Sequence, residues 1–299
     1  MKKHIGIIGG GAAGMMAAVT AARKGTKVTI LERNDRIGKK ILQTGNGKCN
    51  LGNRNLTVEC YHGGDAAWIK QALERFGTED TVCFFQKIGL LIKEKNGYLY
   101  PVSEQAASVL DVLRYELQTL GVEIIYGCKV QKVERTLSGK LVVNDGDREW
   151  QFDAVILTCG GKAAPGTGSD GSGWKIAKKA GHTCIAPVPA LVQLRCLETD
   201  LLKGIAGVRA DSRVRILCDG RETDVERGEL QLTEYGISGI PIFQLSRDVN
   251  YLLRDRKTVM AEIDFLPDMT EESYENMKET RRMLQEKRTA EEFFTGNPE

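Results

Sequence analysis

Five glycines fall within the first fourteen residues, at positions 6, 9, 10, 11 and 14, and a single acid follows at Glu32. Glycine at this density offers backbone N–H groups with no side chain in the way, which is what main-chain binding of a phosphate requires. Gly9-Gly10-Gly11-Ala12-Ala13-Gly14 satisfies the spacing G-x-G-x-x-G. In that pattern the first glycine makes a tight turn and the second lets the backbone approach a pyrophosphate. The third lets a helix pack closely on a sheet. Glu32, 18 residues beyond Gly14, stands where a carboxylate accepts hydrogen bonds from ribose hydroxyls. A 2′-phosphate would meet that carboxylate, so NADP is disfavoured at such a site.

The flanking elements decide whether the glycines mean this. His4 to Ile8 is a short β-branched run of the length of a buried parallel strand. Met15 to Lys24 reads as a small-residue helix closed by Arg23, Lys24 and Gly25. Lys27 to Leu31 is a second strand with Glu32 at its end. Strand, glycines, helix, strand and acid fall in order, and the helix N-terminus turns its positive end to the phosphates.

A second run, Gly166-Thr167-Gly168-Ser169-Asp170-Gly171, has the same spacing but follows Pro165 instead of a strand, and no acid lies about twenty residues on. It is read as a loop at the sheet edge. Thr44-Gly45-Asn46-Gly47-Lys48-Cys49-Asn50 is a tight polar loop without P-loop spacing. The eight cysteines form no C-x-x-C, which excludes a zinc ribbon and a thioredoxin-like pair. Cys49 is the one candidate for chemistry at a cofactor, against its reading as a small core residue. His4 and His182 read as structural, and His62 has no evident partner.

Further along, 66–76 and 79–88 have helical spacing, and Asn96-Gly97 predicts a type I′ hairpin between 91–95 and 98–102. Ser103 is placed to cap a helix over 104–120. Strand-like runs follow at 122–126, 128–135, 140–144 and 148–152, and then a buried parallel strand at 154–158 that ends in Cys159-Gly160-Gly161. After Pro187 the chain turns β-rich, with a hairpin turn at Asp219-Gly220. A short helix ends the run 228–247, a strand covers 258–265, and Thr270 caps a helix over 271–288. The fold class is α/β, a Rossmann-type domain over 1–187, a β-rich domain over 188–267 and a helical segment from 268 to 299.

Composition narrows the function classes. With 41% hydrophobic and 27% charged residues the chain has the make-up of a globular protein with a sizeable core. A formal charge of +2 gives no basic footprint for nucleic acid. Low aromatic content argues against base-stacking platforms. The uncharged run Ile5 to Ala22 behind Lys2 and Lys3 mimics a signal or membrane span, but its glycines would weaken a helix by roughly 1 kcal/mol each. A cytoplasmic protein with no membrane partner is expected.

The segments IGIIGGGAAGMMAA, LERNDRIGKKILQTGNGKCNLGN, YPVSEQAASV, ILTCGGKAAPGTGSDGSGWKIAKKAGHT and GELQLTEYGISGIP, in this order, resemble the YhiN/BaiN-type flavoproteins, aminoacetone-oxidase-like FAD-binding oxidoreductases. The resemblance covers nearly the whole chain. It implies a Rossmann-type FAD domain with a β-rich, barrel-like insertion and the start of a helical insertion. It also implies that Gly9, Gly11, Ala13 and Gly14 hold the pyrophosphate, Glu32 the ribose, and Arg33 the adenine end. Lys40, Thr44, Gly45 and Asn50 would line the extended cofactor, Val130 would touch the adenine through its backbone, and Gly160 and Gly161 would pass beneath. Lys48 stands where the family carries arginine, a point charge in place of a planar fork. Family members continue for roughly another hundred residues, within one domain's length. The ending Thr295-Gly296-Asn297-Pro298-Glu299 therefore reads as a truncation inside the helical insertion.

Hydride transfer to or from a small organic substrate follows from this resemblance, with NAD(P)H or oxygen as second partner. Steroid enone reduction and amine oxidation both stand as reactions. An NAD-dependent dehydrogenase would use the same βαβ unit but purify colourless. A cofactor-binding remnant without turnover would bind FAD weakly. An RNA-modifying flavoprotein is a more distant reading that the near-neutral charge speaks against.

Overall fold

The computed structural model describes residues 2–62 and 64–284. The chain divides into two compact units after Cys184.

In the first unit, β1 (His4–Ile8) leads through α1 (Ala12–Arg23) to β2 (Lys27–Leu31). The short strand β3 (Gly52–Asn53), helices α2 (Ala66–Arg75) and α3 (Thr78–Lys87), and the hairpin β4 (Ile92–Lys95)–β5 (Tyr98–Pro101) follow. Then come α4 (Ala106–Thr119), β6 (Glu123–Ile125) and the meander β7 (Lys132–Arg135), β8 (Leu141–Asn144), β9 (Glu149–Phe152). The unit closes with β10 (Ala154–Leu157) and α5 (Ser172–Lys179).

The central sheet is parallel with order β10-β1-β2-β6. The chain leaves β1 toward β2 and β6 on one side and returns to β10 on the other. Beyond the carboxyl ends of β1 and β10, this reversal opens the crevice in which such sheets bind ligands. Alternation along the strands sends Ile7 and Ile30 to one face, against Met15, Ala18 and Val19 of α1 and Leu113 and Leu117 of α4. Ile8 and Leu31 go to the other, against Val143, Phe152 and Ile176. Gly6 makes room there: a Cβ would lie 2.5 Å from the Phe152 ring, which is fully buried.

Two local expectations need correction. The first helix starts at Ala12 and not at Met15, because the G-x-G-x-x-G turn runs straight into it with Gly11 as its N-cap. Ser103 does not cap α4. Glu104 turns left-handed (φ 52°), Ser103 Oγ accepts the N–H of Gln105 at 3.3 Å and shares a hydrogen bond with Ser108 Oγ at 2.8 Å, and the helix begins at Ala106. The Asn96-Gly97 turn has both residues at positive φ, as type I′ requires.

The second unit holds β11 (Leu194–Arg195), α6 (Thr199–Lys203), β12 (Arg209–Cys218), β13 (Arg221–Thr233) and β14 (Gly236–Gly239). It continues with α7 (Ile240–Arg254), β15 (Val259–Asp264) and α8 (Glu271–Leu284). Its strands form an antiparallel sheet, order β11-β14-β13-β12-β15. The inward residues Val214, Ile216, Leu230, Leu232 and Ile237 pack on Ile242, Leu245 and Val249 of α7. That helix is 15 residues long, not the short one expected, because its apolar stripe at i, i+3 and i+7 stays under the sheet. Thr270 Oγ1 accepts the Ser273 N–H at 3.2 Å and caps α8. The predicted stretch 285–288 and the ending at 295–299 lie outside the described residues. Among the described residues no helix is long and apolar enough to cross a membrane.

Candidate dinucleotide site

Three close approaches fix the glycine turn. Gly9 has φ 107°, where a Cβ would stand 2.7 Å from the Thr158 carbonyl oxygen at the end of β10. A Cβ on Gly14 would overlap the Gly9 carbonyl oxygen, so α1 can seat on the turn only with glycine there. Thr158 Oγ1 donates to the Gly9 carbonyl at 2.9 Å and braces the turn from the neighbouring strand. At Gly11 the opposite holds: a Cβ would meet nothing within 4 Å. The space over Gly11 is open, and the first-turn N–H groups of α1 face it without intrahelical acceptors.

Glu32 is buried, yet both of its oxygens are in use. Oε2 accepts the Gly10 N–H at 2.7 Å, and Oε1 accepts the Asn34 N–H at 2.8 Å and its side-chain amide at 2.7 Å. The carboxylate therefore ties the end of β2 to the glycine turn. Each oxygen carries two acceptor directions, so Oε2 keeps one free toward the cavity.

The segment carrying the second glycine run folds back onto this unit. Pro165–Thr167 is a 3-10 turn, Gly168 and Gly171 are left-handed, and Gly171 caps α5. Arg33 pairs with Asp170 at 2.7 Å and donates to the Gly168 carbonyl at 3.3 Å. Asn34 donates to the Thr167 carbonyl, and Lys40 Nζ reaches both the Ala163 carbonyl and Ser169 Oγ at 2.7 Å. Hydrogen bonds from Ser172, together with Arg33, hold the Asp170 carboxyl far below the usual carboxylate range. A clasp from 33–40 to 163–170 results.

Between turn and clasp lies a cavity of about 390 Å³, within the range of small-molecule and cofactor sites. Gly9, Gly11, Ala13, Glu32, Arg33, Lys40, Thr44, Asn50, Val130 and Gly160 line it. Gly14, Gly45 and Gly161 do not. Gly14 lies in the first turn of α1 against the Gly9 carbonyl, Gly45 stands beside Asn50 and Tyr100, and Gly161 lies beside Trp174. Arg36, Lys39 and Lys129 add positive charge to the lining. The open cradle at Gly11, the helix N-terminus and this charge fit the pyrophosphate of a dinucleotide.

Three thiols also line the cavity. Burial pushes Cys128 up to about 12 and Cys159 up to about 11, with the Asp145 and Glu32 carboxylates respectively adding to it, and raises Cys49 as well. A nucleophilic or redox cysteine works as thiolate. Cys49 is 8% exposed and packed in the hydrophobic core, so its environment is that of a structural thiol. His4 is structural too, its Nε2 bonded to Thr29 Oγ1 at 2.9 Å. Among the described residues no cluster of His, Cys, Asp and Glu could hold a metal ion.

Sequence reasoning passed over Asn34, Thr158, Ser169 and Asp170. Only the last two carried a signal, as part of a glycine run set aside because no strand precedes it.

A βαβ unit with this turn, in a parallel sheet with this switch point, defines a Rossmann-type dinucleotide-binding domain. The chain belongs to the family of HI0933-like proteins, whose Rossmann domain matches residues 3–285. It is similar to a 3-dehydro-bile acid delta(4,6)-reductase of Clostridium scindens, 44% identical over 98% of this chain and 72% of that one. It is also similar to the ribosomal RNA dihydrouridine synthases of Haemophilus influenzae, at 32% over 88% of this chain, and of Escherichia coli, at 28% over 90%. The chain spans 64% and 65% of the length of those two proteins.

Proposed function

We propose that the chain reduces a carbon–carbon double bond conjugated to a carbonyl in a small organic substrate, with FAD held in the cavity and NAD(P)H as electron donor. The observation that carries the cofactor half of this reading is the open cradle over Gly11 at the N-terminus of α1. Both kinds of relative named above, the steroid reductase and the dihydrouridine synthases, add two hydrogens across such a bond. Steroid enones are the favoured substrate class, since the nearer of these similarities is to the steroid enzyme. A formal charge of +2 speaks against a polynucleotide substrate. A reducing, cytoplasmic setting suits the free cysteines.

In this reading Gly11 and Ala13 present main-chain N–H groups to the pyrophosphate, Gly9, whose own N–H donates to the Leu31 carbonyl at 2.9 Å, makes the turn beneath it, and Gly14 keeps the helix seated. Glu32 uses its remaining acceptor on the ribose. Val130 and Arg33 flank the adenine end, while Lys40, Thr44 and Asn50 border the course toward the flavin, with Gly45 turning the loop outside the lining. Gly160 gives the backbone beneath it room, and Gly161 follows it outside the lining. Bound FAD supplies two-electron hydride chemistry. The clasp of Arg33, Asn34 and Lys40 fixes the wall of the cavity opposite the glycine turn.

A visible spectrum of the purified chain tests the cofactor half. Flavin at near one per chain is expected. Bleaching by NADH or NADPH without oxygen, and reoxidation by a steroid enone, test the rest. A colourless protein that gains FAD only weakly would overturn the reading in favour of a remnant. Cys49→Ala is expected to reoxidise at the unaltered rate.

A further inference from the structure

The loop that ends the cofactor cavity at Thr44, Cys49 and Asn50 has a second recess on its other side. Lys48, Lys95, Asn96, Tyr98, Tyr100 and Glu104 line a space of about 190 Å³. The two spaces are neighbours within one unit. Gly45 stands about one carbon contact from Tyr100 Cε1, and the Leu51 N–H donates to the Leu99 carbonyl on β5 at 2.8 Å.

The recess is built around positive charge. Lys48 Nζ lies 2.9 Å from Glu104, which also holds Lys93. One carboxylate thus serves two ammonium groups. Lys95 has no ion pair among the described residues, so the cluster Lys48, Lys93, Lys95 and Glu104 carries a surplus of two positive charges. Glu104 sits at φ 52°, where L side chains are rarely found, so its carboxylate is held in place at the expense of a relaxed backbone. The Tyr98 and Tyr100 hydroxyls have no hydrogen-bond partner among the described residues, and their rings offer apolar wall. An unpaired cation at Lys95, a second held by Glu104 at Lys48, free hydroxyls and aromatic walls suit an anionic head on an apolar body. A recess of this volume takes a single small head group, not a strand of polynucleotide.

We propose that this recess binds the carboxylate of an amphipathic substrate whose apolar body extends toward the flavin end of the cofactor cavity. The proposal rests on the reading of the chain as a reductase of small organic substrates. It makes Lys95 and Lys48 residues that select substrates by charge.

Calorimetric titration with cholate and with its uncharged methyl ester tests it, on the chain whose flavin content has first been read by absorbance. Cholate is expected to bind about tenfold tighter than the ester. Lys95→Ala should remove most of that difference and leave flavin per chain unchanged, and Lys95→Arg should restore it. Equal binding of acid and ester, no binding of cholate, or a preference that survives Lys95→Ala would overturn the proposal. Displacement of cholate by inorganic phosphate at equal concentration would also overturn it, by showing a phosphate site. A chain that lacks flavin but still prefers cholate would sink the cofactor reading and keep the recess.

Discussion

Two stretches of this chain share the spacing G-x-G-x-x-G and do opposite things. Gly9 to Gly14 follows a buried strand and opens a 12-residue helix, and two of its glycines are forced by backbone contacts that no side chain could survive. Gly166 to Gly171 follows Pro165, closes a 3-10 turn and is held to the segment after β2 by Arg33, Asn34 and Lys40. In the first stretch the N–H groups of Gly9 and Gly10 are held by Leu31 and Glu32, and those that follow at the start of α1 have no intrahelical acceptor. In the second the main chain presents carbonyls to protein side chains. Spacing alone carries neither role; the preceding element decides it.

The largest effect that could break this contrast is at Gly14. In Gly14→Val the side chain would have to displace the Gly9 carbonyl or lift α1 from the sheet. Overpacking of this kind costs ~1–3 kcal/mol or more, all of it at the cradle. Flavin content after purification is expected to fall below a tenth of the unaltered chain's while far-ultraviolet circular dichroism stays near normal. Retained flavin would show that the turn can shift and that the fit at Gly14 is not what orders the cradle.

Glu32→Ala comes next. It strands the Gly10 and Asn34 N–H groups in a buried place, at about 1–3 kcal/mol for each unsatisfied donor. A lower melting temperature without cofactor is expected, together with weaker FAD binding. A variant that loses affinity and keeps its apo stability would mean that Glu32 acts on the ribose alone.

The clasp gives a smaller effect with a definite pH signature. The Asp170 carboxyl titrates lower in the folded chain than in the unfolded one. Its contribution is complete above the ordinary aspartate value of ~3.9 and is lost as pH falls below it. The pair is about one third exposed, so screening keeps its worth near or below ~1 kcal/mol. Asp170→Asn should lose that contribution in full at pH 7 and progressively less as pH falls below about 4, so that the acid limb of stability flattens. Loss of stability at pH 7 equal to that at pH 3 would assign the effect to the hydrogen bonds from Ser172 instead of to charge.

How much of this was open to sequence reading follows the range of each interaction. Strands β1 and β2, the type I′ turns and the glycine cradle are local, set by residues a few positions apart, and the residue pattern gives them directly. The fold class was legible for the same reason, since its βαβ unit lies within thirty-two residues. The start of α1 was misjudged because glycine and alanine were weighed as helix breakers and fillers, when Gly11 serves as the cap. The place of Glu32 at the end of β2 was legible but not its part as the strut of Gly10, because the bond closes between two strands. The contacts of Arg33 with Asp170 and of Lys40 with Ser169 span more than 120 positions. Spacing and local pattern along the chain do not join them.

The sharpest test of the contrast is the one with the smallest expected effect. Gly166 has ordinary negative φ, and a Cβ there would meet nothing within 4 Å. Gly166→Ala should therefore leave flavin content within error and raise stability, if at all, by less than ~1 kcal/mol through the unfolded chain. Placed beside Gly14→Val, a silent Gly166→Ala makes the two runs different in kind. Should Gly166→Ala lose flavin as well, the second run must approach the cofactor by its own backbone. The cradle would then be two-sided, with the clasp as its other wall, and the rule that a strand must precede the glycines would fail for this fold.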